Sequence, residues 1–205
     1  MNTDHFPSET ADIVADVLVS EYDAHGEIMA ETMAALESGG ITESGRTFCP
    51  EQEIQILDPS KRYGAGVDLK TCDVGPTGVI HSHVTQEQLR NPGHSLPDMA
   101  NVIYGPYESS LVLGVETSDL MLSSATPART RSEFDNILGI DVDGPEDVLA
   151  AVENGVIHDP PAMRSRVRSQ LPDLFETVET PMPEYRQHVS EAPAMHQPAG
   201  EADTC

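Results

Sequence analysis

Gly78-Val79-Ile80-His81-Ser82-His83 is the stretch on which the fold turns. It reads as a β-strand, in which successive side chains alternate faces, so His81 and His83 project from the same side. Two imidazoles so placed can both reach one metal ion, and neutral imidazole is a good zinc ligand. A His-x-His pair alone more often marks two histidines on an exposed face. The neighbouring residues therefore decide what this one means.

The next chemistry-bearing stretch is His94-Ser95-Leu96-Pro97-Asp98. Asp98 could supply a third ligand and leave a fourth position for water, the arrangement of catalytic zinc sites. Ser95 with an acid three residues on also has the form of a helix N-cap and first turn, which tolerates Pro97. The two readings are compatible, because a capped first turn fixes where Asp98 points. His94 is a rival third ligand, ranked second because nothing in the spacing sets its ring opposite the pair. A hydrolase also needs a carboxylate to accept a proton from water and return it to a leaving amine. Glu37 and Glu43 both precede the strand, and each taken alone is one acid among many.

The surrounding pattern is mixed. Val14, Leu18 and Tyr22, then Met29, Met33 and Leu36, give helical periodicity over residues 8–38, with Gly26 as a potential break and Gly39-Gly40 as the stop. Period-two segments follow around residues 47–49, 54–56 and 67–69, then at 78–83, 110–115 and 120–123. Helices are predicted over 95–104, 145–154 and 163–171, with residues 84–94 as a polar loop. Strands and helices mixed in this way predict an α/β domain over residues 1–128, a helical extension over 129–187, and a disordered tail over 188–205.

A glutamate, then His81-Ser82-His83 on a strand, then Ser95-x-x-Asp98 opening a helix resembles the JAMM (MPN-plus) zinc metallopeptidase family. In that family the glutamate closes a helix and is followed three residues later by glycine and an apolar residue. Glu37, Gly40 and Ile41 match this, and Glu43 does not, so the resemblance points to Glu37. It covers roughly residues 10–125 and implies an MPN-like (cytidine-deaminase-like) mixed sheet flanked by helices. It implies a zinc ion on His81, His83 and Asp98, Glu37 as general acid/base, and Ser95 as a donor to the oxyanion. The implied reaction is hydrolysis of a peptide or isopeptide bond, with a ubiquitin-like modifier joined to lysine as the substrate class. Val84 stands where the family usually has proline, and the segment from His83 to Ser95 is longer than usual. An alternative is therefore a non-catalytic MPN-type scaffold that binds protein partners.

Composition narrows the setting. There are 35 acidic residues against 11 basic ones, for a net charge of −24, which excludes nucleic acid or an anionic membrane as a partner held by a general basic surface. Such an excess signals either disorder or a surface adapted to molar salt, where screening removes most self-repulsion. The acids lie scattered between apolar positions of regular period, so a folded, halophilic protein is expected. Arg164, Arg166 and Arg168 form the one basic cluster, read as a solvated helix face. Cys49, Cys72 and Cys205 read as isolated thiols, suited to a reducing cytoplasm. Neither a signal peptide nor a membrane span is expected, which again points to the cytoplasm.

Overall fold

The computed structural model describes residues 22–39, 43–48, 55–56, 62–63, 66–67, 69, 71–73, 77–83, 85–105, 107–123, 127–180, 182 and 184–185. The helical reading before residue 22 and the tail 188–205 lie outside the described residues.

Helix α1 (Tyr22–Glu37) runs through Gly26 without a break. Burial of Ile28, Met29 and Met33 outweighs the ~1 kcal/mol that a mid-helix glycine costs. The helix gives way at Gly39, whose φ of +73° is the left-handed conformation that glycine adopts without strain. Strands β1 (Gly45–Phe48), β2 (Gln55–Ile56), β3 (Arg62–Tyr63), β4 (Gly66–Val67) and β5 (Thr77–Ser82) follow. The chain continues with α2 (Gln86–Arg90), α3 (Leu96–Ile103), β6 (Tyr107–Leu113) and β7 (Thr117–Leu122). It then forms α4 (Pro127–Leu138), α5 (Pro145–Glu153), α6 (Pro160–Gln170), a 3-10 turn and β8 (Phe175–Glu179).

Five strands, joined at one edge by the two-residue β2, make a mixed sheet of order β2-β1-β5-β6-β7-β8, and β3 and β4 pair separately. The expected α/β class therefore holds. Only β5 and β6 are parallel; the other pairs are antiparallel. A parallel pair cannot be closed by a tight turn and needs a crossover. Residues 83–106 supply it, which is why the helix carrying Asp98 lies over the sheet beside the strand carrying His81.

Alternation along the strands divides the core in two. Ile80, Leu111, Leu113, Leu120 and Leu122 pack against Ile28, Met29 and Met33 of α1 on one face. Met121 packs with α3, Phe134 and Leu138 of α4, Val148 of α5 and Val167 of α6 on the other. Helix α3 alone buries Leu96, Met99, Ala100, Val102 and Ile103, its larger side chains each contributing about 1.5–3 kcal/mol.

Helices α4, α5 and α6, in the segment read as a helical extension, share one core with α3. Strand β8 also returns to the sheet and pairs with β7 from Thr117↔Glu179 to Met121↔Phe175. Its Phe-Glu-Thr-Val-Glu sequence has two acids in five residues and is mostly exposed, as an edge strand allows, so it carries little apolar signal. Cys72 is disulfide-bonded rather than an isolated thiol, and its partner lies outside the described residues. Among the described residues no helix is long and apolar enough to cross a membrane.

Candidate metal centre

His81 is on β5 and His83 directly follows it, both almost fully buried. Opposite His81 stands Gly45 of β1, where a Cβ would come within 2.8 Å of the Ile80 carbonyl and 3.1 Å of His81 Cβ. Glycine there lets β1 close against the histidine strand. Asp98 enters from α3 through a reciprocal cap. The Ser95 N–H donates to Asp98 Oδ2 at 2.7 Å, and the Asp98 N–H donates to Ser95 Oγ at 3.3 Å. The cap reading and the ligand reading of Ser95-x-x-Asp98 thus describe one structure, since the bond that closes the first turn also aims the carboxylate at the histidines.

The imidazole Nε2 atoms lie 3.6 Å (His81) and 3.2 Å (His83) from the two Asp98 carboxylate oxygens, and one ligand atom from each residue falls within 4.8 Å of the others. A tetrahedral ion with ligands at about 2.0–2.1 Å separates neighbouring ligand atoms by about 3.4 Å. The donor set therefore fits a zinc-sized cation. Hydrogen bonding agrees: His81 Nδ1, His81 Nε2 and His83 Nδ1 are buried and have no hydrogen-bond partner among the described residues, an expense that a metal ligand would offset. Burial alone would raise the Asp98 carboxyl, but the two imidazoles facing it prevail and hold it well below the usual carboxylate range.

His94, the rival third ligand, is turned elsewhere. Its ring is fully buried, with Nδ1 2.8 Å from Asp119 Oδ2 and Nε2 3.0 Å from the Ser110 carbonyl. Both ring nitrogens are thus engaged with these partners, and the ring is held away from the triad. The backbone N–H of His94 also donates to Asp119 Oδ2 at 3.1 Å, and Arg168 Nη1 reaches the same oxygen at 2.5 Å. Burial would raise the Asp119 carboxyl, yet His94 and Arg168 outweigh it and hold it at about 2. This network, 6.3 Å from the His81 ring measured between ring centroids of His81 and His94, fixes the segment just before Ser95. Nothing in the sequence linked Asp119, itself a lone acid within an apolar strand, to His94 and Arg168, which lie 25 and 49 residues away.

The two candidate bases part company. Glu37 ends α1 exposed and is not among the residues lining the cleft over the triad. Glu43 lines that cleft together with His81, His83, Ser95 and Asp98. It is placed by Ser44, whose carbonyl accepts from the Ser82 N–H at 2.8 Å and whose hydroxyl bonds Glu31 of α1. Burial first, then the Asp98 charge, push the Glu43 carboxyl up, and His83 pulls against them; the result is about 7. The local Glu-x-x-Gly spacing that favoured Glu37 carries no information on which acid lines the cleft.

The cleft encloses about 610 Å³. One wall comes from α3, and the other from Leu149 and Val152 of α5 and Pro160, Pro161 and Arg164 of α6. Helix α2, inside the segment read as a polar loop, closes its end with a Thr85–Gln88 capping box. No protein-family model, no curated protein and no solved structure matches the chain.

Proposed function

We propose that the chain is a zinc-dependent peptidase or isopeptidase of the JAMM type, with an MPN-like core. The observation that carries this reading is the convergence of His81, His83 and Asp98, with orphaned imidazole nitrogens, at the floor of a cleft that also holds a half-buried glutamate and a helix-capping serine. The order of these residues along the chain, and the strand and helix that carry them, supply the family resemblance.

His81, His83 and Asp98 hold the metal. When bound, zinc brings a water's pKa to about 7 and polarises the scissile carbonyl. Glu43 takes the place that the resemblance gave to Glu37: it accepts a proton as the water oxygen bonds to the carbonyl carbon. It returns that proton to the amine nitrogen as the C–N bond breaks, giving a carboxylate and a free amine. A carboxylate beside the ligands is the kind of group that can accept a proton and then donate it. Ser95 Oγ accepts the Asp98 N–H, so its own hydrogen remains to donate to the oxyanion. The apolar stretch of wall formed by Val79, Leu96 and Val152 suits the methylene stem of a lysine in an isopeptide.

The test is turnover of a fluorogenic Gly-Gly–lysine isopeptide and of its linear peptide counterpart by zinc-loaded protein in molar salt. Cleavage that is lost with a chelator and in Asp98→Ala supports the proposal. Full zinc occupancy without turnover of either substrate would leave the non-catalytic scaffold as the better account.

A further inference from the structure

We infer that Arg164 selects substrates carrying a carboxylate on the segment that lies along α6 in the cleft. Of the residues lining the cleft, Arg164 is the one arginine or lysine. Acidic residues outnumber basic ones 35 to 11 in this chain. Arg46, Arg129 and Arg168 by contrast each meet a carboxylate. Among the described residues no carboxylate, hydrogen-bond acceptor or aromatic ring partners Arg164. An unpaired, half-buried guanidinium in the wall of a cleft is a fork awaiting a planar anion.

Its position is fixed from both ends of α6. The Asp159 carboxylate caps the helix by accepting the Ala162 N–H at 2.9 Å. One turn beyond Arg164, Arg168 binds buried Asp119 and lies 4.5 Å over the Phe175 ring. Residues four apart share a helix face, so the anchor that holds Arg168 against the sheet also turns Arg164 inward, while Arg166 is exposed. The three arginines are therefore not one solvated face. Apart from the proposed metal, no other fixed cation lines the described cleft, so discrimination by a carboxylate away from the metal falls on this side chain.

The inference takes the identity of the cleft from the metallopeptidase reading, but binding tests it without cleavage. Full-length, zinc-loaded protein carrying Glu43→Gln would be titrated in molar salt with amidated Gly/Ala hexapeptides bearing a neutral fluorophore. A single Glu is scanned through the sequence, each peptide having a Gln twin, and a further peptide has a free C-terminal carboxylate in place of the amide. Anisotropy should show one Glu position, or the free terminus, binding about tenfold more tightly than its neutral twin. The preference should vanish in Arg164→Gln at unchanged zinc content and return in part in Arg164→Lys. A Glu position assigns the carboxylate to a side chain, and the free terminus assigns it to a chain end; either supports the inference. No preference at any position, or one that survives Arg164→Gln, overturns it. Absence of cleavage by the parent would instead count against the peptidase reading and leave these affinities standing.

Discussion

In the proposed mechanism, Glu43 is the residue on which the chemistry depends. Glu43→Gln should lower kcat on an isopeptide substrate by about 10²–10⁴-fold while zinc content stays at the parental level, and Glu37→Gln should leave kcat near the parental value. The reverse order of effects would return the base to Glu37. The same group gives a pH signature in the metal-free protein. Its folded pKa, about 7, exceeds its ordinary 4.5, so the folded state holds this proton more tightly. The resulting stabilisation is fully present below pH 4.5 and is lost as pH rises through 7. Chemical denaturation of metal-free protein should therefore show Glu43→Gln gaining on the parent across that window. A difference that stays flat with pH would mean that Glu43 is not buried against Asp98.

Among the elements, α6 contributes most beyond its own length, because Arg168 ties it to Asp119 of β7 and through Asp119 to His94. Asp119→Asn removes the carboxylate that Arg168 and His94 share and should cost about 3–5 kcal/mol of stability in denaturant unfolding. A loss under 1 kcal/mol would show that the network is solvated. The Asp119 carboxyl, held at about 2, contributes above its unfolded value and loses that contribution as pH falls towards 2. What could be read in advance follows from distance along the chain. His81 and His83 two apart on a strand, and Ser95 and Asp98 three apart on a helix, were legible because local geometry fixes their relation. The strands at 78–83, 110–115 and 120–123 were legible for the same reason, and the helix at 145–154 because Gly155 stops it with φ +67°. Strand β8, the His94–Asp119–Arg168 network and the presence of Glu43 rather than Glu37 in the cleft were not, because each is decided by contacts that form only when distant segments meet. Helix α4 was missed because its buried Phe134, Ile137 and Leu138 are outnumbered by charged and polar neighbours.

At the scale of the whole molecule, net charge and the proposed metal carry the predictions. With a charge of −24, self-repulsion is long-ranged in dilute buffer and confined to about 3 Å at 1 M salt. Thermal unfolding should therefore move to higher temperature as KCl rises from roughly 0.1 M to 2 M; a midpoint indifferent to salt would contradict the halophilic reading. The central claim is that one cation links the sheet to α3 through His81, His83 and Asp98, and zinc content per chain tests it most directly. Protein purified in molar salt, reloaded and freed of excess metal should carry about one zinc, and His81→Ala and Asp98→Ala, folded by circular dichroism, should carry far less. A parent that holds no zinc, or variants that hold as much as the parent, would contradict the account.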